Sequence, residues 1–323
     1  MRALPILVCA LVLAGPAAAE TVQELQAQLD AQVRINELLK QRIRTLEGEA
    51  QAVAVAAPPA IAAPAPARAA DDPDEARALE RALVREGIAV LPPGSYEIAP
   101  GIGWTHSASG SDTYSASLDG RMGLQGGWMI GAGIPFLKRD TSLGGNSGPG
   151  DVSVSVWKEI WAQDGTRPSL VANLRYRAPT GKDFTETDIP LGSGFHRLRG
   201  GLSMSKSIDP VAFYGGLSYT RTFARTVYGR TDLRYGDALG GNVGTSLAVT
   251  PEISLSTGVG VSFNQELEVD GVKVPGSDST VASVNLGAGI LLNKDLFLNI
   301  SGVFGVTDES PDFGLGVSLP MRF

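Results

Sequence analysis

The end of the chain alternates strictly between two kinds of side chain. The apolar positions are Phe313, Leu315, Val317, Leu319, Met321 and Phe323, and the positions between them are Gly314, Gly316, Ser318, Pro320 and Arg322. A strand that is apolar on one face and small or polar on the other suits a wall between lipid and a watery lumen. The pattern therefore predicts a strand of a membrane-spanning β-structure.

The same alternation recurs from about residue 95 to the end of the chain. It is clearest at 114–122, 170–178, 197–205, 253–264 and 282–292. These segments are close to the roughly 9–11 residues that a tilted membrane strand requires. They predict an all-β transmembrane antiparallel barrel of about 12 strands over residues 95–323, an even number with both ends on one side.

The connections between these segments alternate between short and long. Short ones fall at 125–127, 164–168, 208–210, 250–252 and 293–295, and long ones at 139–150, 181–193, 223–236 and 265–279. Short periplasmic turns and long outer loops are the asymmetry of outer-membrane barrels. A soluble β-sandwich is the alternative, and it is disfavoured because it should carry less glycine opposite its apolar face.

The other end of the chain is typical of an exported protein. Met1-Arg2 is basic, 4–13 is apolar, and Ala17-Ala18-Ala19 forms a cleavage site of the A-x-A type, so residues 1–19 are predicted to be a signal peptide. The single cysteine, Cys9, lies inside it. Phe323 resembles the terminal signal that the barrel-assembly machinery of Gram-negative bacteria reads. We expect a barrel in outer-membrane lipid, with the N-terminal region in the periplasm.

Residues 20–48 carry a heptad pattern. The predicted core positions are Val22, Leu25, Leu29, Gln32, Asn36, Leu39, Ile43 and Leu46. Polar residues at such positions set register and strand number. The pattern favours a short parallel coiled coil that joins several barrels, and a single amphipathic helix on the periplasmic rim is the alternative. Residues 49–70, rich in Ala and Pro, are predicted to be a semi-rigid linker.

A short helix and its lead-in are predicted over residues 71–94. Asp72 can cap the helix, Pro73 fits its first position, Glu75 completes a capping box, and Gly87 ends it. Its charged residues are Glu75, Arg77, Glu80, Arg81, Arg85 and Glu86. A helix this short must dock on a larger structure. The lumen, where it would form a plug, and the periplasmic mouth are both open as hosts.

Several charged residues share the luminal parity of their strands. They are Asp119, Arg121, Arg175, Arg177, Arg197 and Arg199. They could form an anion-attracting lining or a latch for a plug, and structural ion pairing within a filled barrel is the alternative. Asp119 can pair with Arg121. Since arginine is in excess on the wall, the carboxylates of the helix are expected to make most of the plug contacts.

Other classes of function find little support in the sequence. A net charge of −7 argues against nucleic acid as a partner. With only two histidines, no motif places a nucleophile beside a base, and no spacing predicts a metal or cofactor site, so we expect a protein that is not an enzyme. Five aromatic residues are predicted to lie in the interfacial girdles: Trp104, Trp128, Trp157, Trp161 and Tyr219.

Two families share short motifs with this chain. The stretches 82–87, 91–94 and 97–100 (ALVREG, LPPG and EIAP) resemble the barrel entry of functional-amyloid secretion (Fap-type) outer-membrane channels. The stretches 177–182 (RAPTGK) and 191–194 (LGSG) resemble the related MetA-pathway phenol-degradation barrels.

The first resemblance implies a homotrimer with a plugged lumen that exports unfolded amyloid subunits. Two alternatives stay open. One is a channel for the uptake of small apolar or aromatic compounds, and the other is a non-conducting structural barrel.

Overall fold

The structure is a computed structural model that describes residues 78–107, 109–229 and 231–323. The predicted signal peptide, coiled coil and linker lie outside the described residues, and so do Glu75 and Arg77. Within them there is one helix, α1 (Ala78–Arg85). No helix there is long and apolar enough to cross a membrane.

Twelve antiparallel strands form the wall. They are β1 (Tyr96–Ser107), β2 (Ser111–Leu124), β3 (Trp128–Thr141), β5 (Ser153–Trp161), β6 (Ser169–Arg177), β7 (Arg197–Ile208), β8 (Val211–Thr222), β11 (Ala238–Ala248), β12 (Ile253–Asn264), β15 (Ser279–Leu291), β16 (Phe297–Gly305) and β17 (Pro311–Ser318).

The remaining strands are short. They are β4 (Gly144–Pro149), which pairs with β3; β9 (Arg225–Val227), β10 (Thr231–Arg234), β13 (Glu268–Val269) and β14 (Val272–Lys273), which form a separate sheet; and β18 (Met321–Arg322), which pairs with β1.

The barrel closes where its first and last strands meet. β17 pairs with β1, with Trp104 opposite Leu315. Beyond it, the amide of Tyr96 donates to the carbonyl of Phe323 at 3.0 Å, and the amide of Phe323 donates back at 2.8 Å. Their rings stack with centroids 5.2 Å apart. The predicted closed barrel of about 12 strands is therefore confirmed, and a sandwich is excluded.

The alternation in the sequence separates the two faces of the wall. Leu217 and Val243 are 70% and 65% exposed on the outside, whereas Ser246 and Ser254 are 2% and 1% exposed on the inside. Apolar residues that face outward and small polar residues that face inward are typical of a membrane barrel. The outer face is therefore the surface that suits lipid.

The two ends of the barrel differ in their connections. One end holds the start of β1, β18 and the five short turns, and is called the turn end here. The other, the loop end, holds the long connections that carry β4, β9, β10, β13 and β14. Two connections at the loop end, β1–β2 and β16–β17, are short and differ from the long loops predicted on that side.

Candidate functional site

Helix α1 enters the lumen at the turn end. The amide of Ala78 donates to the carbonyl of Pro251, at 2.9 Å, in the turn between β11 and β12. Arg81 donates to the carbonyl of Lys294 in the turn between β15 and β16. Glu86, which directly follows the C-terminal end of α1, lines an internal cavity together with Tyr214. Of the two predicted hosts for the helix, the structure shows the lumen.

A glycine motif ends the helix inside the barrel. Gly87 has φ +72°, a left-handed conformation that suits glycine. Its amide donates to the carbonyl of Val84 at 3.0 Å, and the amide of Ile88 donates to the carbonyl of Leu83, also at 3.0 Å. This pair of bonds is a Schellman motif, and Ile88 packs in the same cluster as Leu83, the contact that accompanies it.

Arg121 of β2 holds this end of the helix. Its guanidinium donates to the carbonyls of Val84 at 2.6 Å and Arg85 at 3.3 Å. A cation at the helix C-terminus also faces the negative end of the helix dipole. We call these two bonds the latch. The expectation that helix carboxylates would make most of the wall contacts is not met at Arg121, because this arginine binds backbone oxygens instead.

We call α1 and its lead-in, residues 78–94, the plug. Apolar side chains of the plug pack against the wall on two sides. One cluster joins Leu79, Leu83 and Ile88 to Ala212 of β8. The other joins Val84 and Leu91 to three residues of the wall: Met129, Trp157 and Val171. Fully burying one such large side chain is worth about 1.5–3 kcal/mol. These clusters therefore supply much of the attraction between plug and wall.

The second cluster corrects the assignment of Trp157 to an interfacial girdle. Trp157 is 6% exposed and faces the lumen. The guanidinium of Arg121 lies 5.5 Å from its ring centroid, and a Cβ on Gly87 would lie 3.1 Å from its Nε1. The indole serves as a luminal support for the plug because its strand points it inward, alongside Ser155.

Charged groups gather where α1 enters the lumen. Arg81 is 4% exposed and Glu97 is 3% exposed, and Arg322 Nη2 lies 3.9 Å from Glu97 Oε2. Burial lowers the pKa of Arg81, against the opposing effects of Glu97 and Asp295. Glu80 is exposed. Charge compensation at the mouth thus comes from Glu97 on the wall and from Asp295 in the turn between β15 and β16.

Glu86 sits beyond the helix in a cavity of about 140 Å³. Its lining mixes polar and apolar residues, the polar ones being Tyr214, Asn242, Asn285, Asn299 and two serines. The side chain of Glu86 borders this cavity, and the barrel wall encloses both. This enclosure raises the pKa of Glu86, while Arg85 and Arg121 act in the opposite direction.

The remaining predicted arginines form a ladder nearer the loop end. Arg175 lies directly opposite Arg199 across β6 and β7, and Arg177 lies opposite Arg197. We call these four residues the arginine ladder. Arg175 Nε donates to Ser155 Oγ at 2.9 Å, and Arg199 Nη2 donates to Ser218 Oγ at 3.0 Å. Among the described residues, no carboxylate lies within 4.0 Å of the ladder or of Arg121.

A second cavity, of about 490 Å³, borders the ladder. Its charged lining residues are Asp119, Arg139, Asp151, Arg175 and Arg177. Arg139, which sequence reasoning missed, shares the luminal parity of β3 and donates to the carbonyl of Pro190 at 2.7 Å. Asp119 accepts a hydrogen bond from Ser117 Oγ at 3.3 Å. This aspartate was expected to pair with Arg121, which binds the plug instead.

The connection between β6 and β7 folds against this cavity. Asp151 accepts hydrogen bonds from the amide and hydroxyl of Ser193, each at 2.8 Å, and from the amide of Gly181 at 3.2 Å. Leu191 and Phe195 of the same connection are 5% and 0% exposed. The loop-end cavity is therefore bounded by a fixed segment.

A family model, described as Putative MetA-pathway of phenol degradation, matches residues 109–323. The chain belongs to this family. The matched span contains eleven wall strands, the latch arginine and the ladder, whereas α1 and β1 precede it. The resemblance to MetA-pathway barrels is thus confirmed, and the comparisons do not show the Fap-type relationship.

Solved structures of outer-membrane proteins are similar to this chain. The COG4313 outer membrane channel from Pseudomonas putida F1 is 16% identical, with a TM-score of 0.63 over 73% of this chain and 98% of that one. The NanC porin is 12% identical, with a TM-score of 0.45 over 71% and 98%. The translocator domain of the autotransporter NalP from Neisseria meningitidis is 14% identical, with a TM-score of 0.40 over 76% and 94%.

Proposed function

We propose that this chain is an outer-membrane channel for small solutes whose periplasmic end is held closed by α1. The carrying observation is the latch, in which Arg121 binds the carbonyls of Val84 and Arg85 inside the lumen. The latch, the hydrogen bonds of Ala78 and Arg81 to the turns, and the two apolar clusters together form a non-covalent seat. Such a seat can open, at a free-energy cost set by the hydrogen bonds and the apolar packing that opening breaks.

The wall supports this proposal. Its small and polar inner face leaves an internal cavity of about 490 Å³ beside Arg175 and Arg177, a size that suits a small organic molecule. The description of the family points to phenolic compounds, and the outer membrane channel from Pseudomonas putida F1 has the same fold. We therefore favour uptake of small aromatic compounds over the other candidate functions.

Conductance in planar lipid bilayers tests the channel. The full chain should show small, intermittent currents, and deletion of residues 71–87 should raise the single-channel conductance severalfold. Heat-modifiable migration serves as the control that the deletion variant is folded. A folded deletion variant with unchanged conductance would exclude α1 as the closing element, and the absence of any current would favour a non-conducting structural barrel.

Export of unfolded amyloid subunits is a second candidate. It is favoured by the resemblance of residues 82–100 and by the predicted order of coiled coil, linker and helix. In that case residues 20–48 would join three copies of the chain. Cross-linking in mild detergent tests this trimer, and neighbouring genes for Gln/Asn-rich secreted repeats, rather than for catabolic enzymes, would favour export.

A further inference from the structure

Within the described residues, no side-chain hydrogen bond or ion pair joins the arginine ladder to α1. The members of the ladder lie on β6 and β7, and the latch is made by Arg121 of β2. Like charges directly opposite each other on neighbouring strands are destabilising. Here two such pairs follow one another, Arg175 with Arg199 and Arg177 with Arg197. A wall that keeps both pairs facing a lumen concentrates positive charge there, which Asp119 and Asp151 offset only in part.

The carboxylates bordering the cavity are already engaged. Asp151 accepts three hydrogen bonds from Gly181 and Ser193, and Asp119 accepts one from Ser117. Neither lies within 4.0 Å of a ladder guanidinium. Within the described residues, Arg197 Nε is buried and has no hydrogen-bond partner. The donors of the ladder therefore exceed the acceptors that the described wall brings to them.

We propose that the arginine ladder is a binding site for the carboxylate of a small organic anion on its way through the barrel. The inference rests on the proposed channel function and names its solute class. A guanidinium presents paired N–H donors that match a carboxylate in a bidentate fashion. The adjoining hydroxyl of Ser153 lines the same cavity and offers a further donor. Its volume of about 490 Å³ accommodates a single-ring aromatic acid.

Ion selectivity and block test the site in the conducting protein. In a KCl gradient the reversal potential should show a preference for chloride, and benzoate should block the current. The double variant Arg175→Gln with Arg177→Gln should lose the preference and weaken benzoate block about tenfold, because the two arginines that line the cavity are replaced by neutral donors. A cation-selective wild type, or unchanged block in the variant, would overturn the proposal.

The matched control is Arg221→Gln. Arg221 lies near the same end of the barrel, but on the outer face, where it donates to Asp237 Oδ2 at 2.8 Å. Selectivity and block should stay at wild-type values. If this variant changed them as much as the ladder variant does, the effect would come from overall charge, and the site would be rejected.

Binding without conduction separates this inference from the channel proposal. Titration calorimetry of the purified full chain with benzoate should show binding that the ladder variant weakens, even if no current were observed. Inorganic phosphate should bind more weakly than benzoate. Phosphate binding as tight as that of benzoate would contradict a carboxylate site, and a conducting protein without benzoate binding would leave the channel standing and remove the site.

Discussion

The inward-facing side chains of the wall have different binding partners in the two halves of the lumen. At the turn end, the inner wall packs against the plug through apolar clusters, and its arginine, Arg121, is bonded to helix carbonyls. At the loop end the inner wall faces a cavity, and the side-chain hydrogen bonds of the arginine ladder go only to serine hydroxyls among the described residues. The comparison shows that an alternating strand fixes which side chains face inward, while the occupant of the lumen decides what they do.

The difference also shows where a substitution should matter. Changes at the turn end act by weakening the packing and the hydrogen bonds that hold the plug, so they should alter how often the channel is open. Changes at the loop end act through charge, so they should alter which ions pass.

The largest effect is expected from Leu91→Asp. Leu91 is 1% exposed and packs with Met129 and Val171, so an unpaired carboxylate there should cost several kcal/mol. The plug should leave its seat, and conductance should approach that of the deletion of residues 71–87. Leu143→Asp is the control because Leu143 is 82% exposed. A closed, folded Leu91→Asp channel would show that the clusters do not hold the plug.

Gly123→Ala should have the next largest effect. A Cβ at this position of β2 would lie 2.5 Å from the carbonyl oxygen of Leu91 and would also collide with that of Pro92, so the lead-in must shift. We expect faster proteolysis of the plug segment and a higher open probability. Gly120→Ala on the same strand is the control, since its Cβ would meet nothing within 4 Å. Equal behaviour of the two variants would contradict close contact at Gly123.

Arg121→Gln should open the channel more modestly. It removes hydrogen bonds from a charged donor, each worth about 1.5–3 kcal/mol, although glutamine can replace part of one. We expect the open probability to rise about tenfold or more, measured in single-channel recordings. Arg121→Lys, which keeps the charge but not the two-pronged geometry, should be intermediate. If the lysine variant matched wild type, charge alone would explain the latch.

The smallest effect concerns pH and Glu86. Its pKa is raised in the closed barrel by enclosure, so the closed state favours the protonated acid. Closure should be strongest below the ordinary pKa of glutamate, about 4.3, and should weaken as the pH rises through the raised value. Open probability measured between pH 4 and pH 8 should show this rise. In the Glu86→Gln variant the open probability should change little with pH. If this variant kept the pH profile of the wild type, the titrating group would be another residue.

Strand alternation makes most of the barrel predictable. It places the ladder and Arg121 on the luminal face, and hydrophobic residues such as Leu217 on the outer face. The girdle assignment of Trp157 is wrong although the sequence carries a signal against it, because this residue shares its parity with Ser153 and Ser155 rather than with Val154. Residue type favours a girdle for a tryptophan, whereas the place of Trp157 in its strand favours the lumen.

The latch could not be predicted in the same way. Its acceptors are the backbone oxygens of Val84 and Arg85, which every residue possesses and which carry no sequence signal. Acidic side chains, which the sequence does show, were therefore the expected partners of the wall arginines. Only the position of α1 in the lumen brings those carbonyls to Arg121.

A latch made to the backbone places few demands on the sequence it holds. Residues 84 and 85 can change without removing the oxygens that Arg121 binds, provided that the chain there stays helical. The latch itself thus constrains the plug sequence little, and melting the last turn of the helix would break the latch without breaking an ion pair.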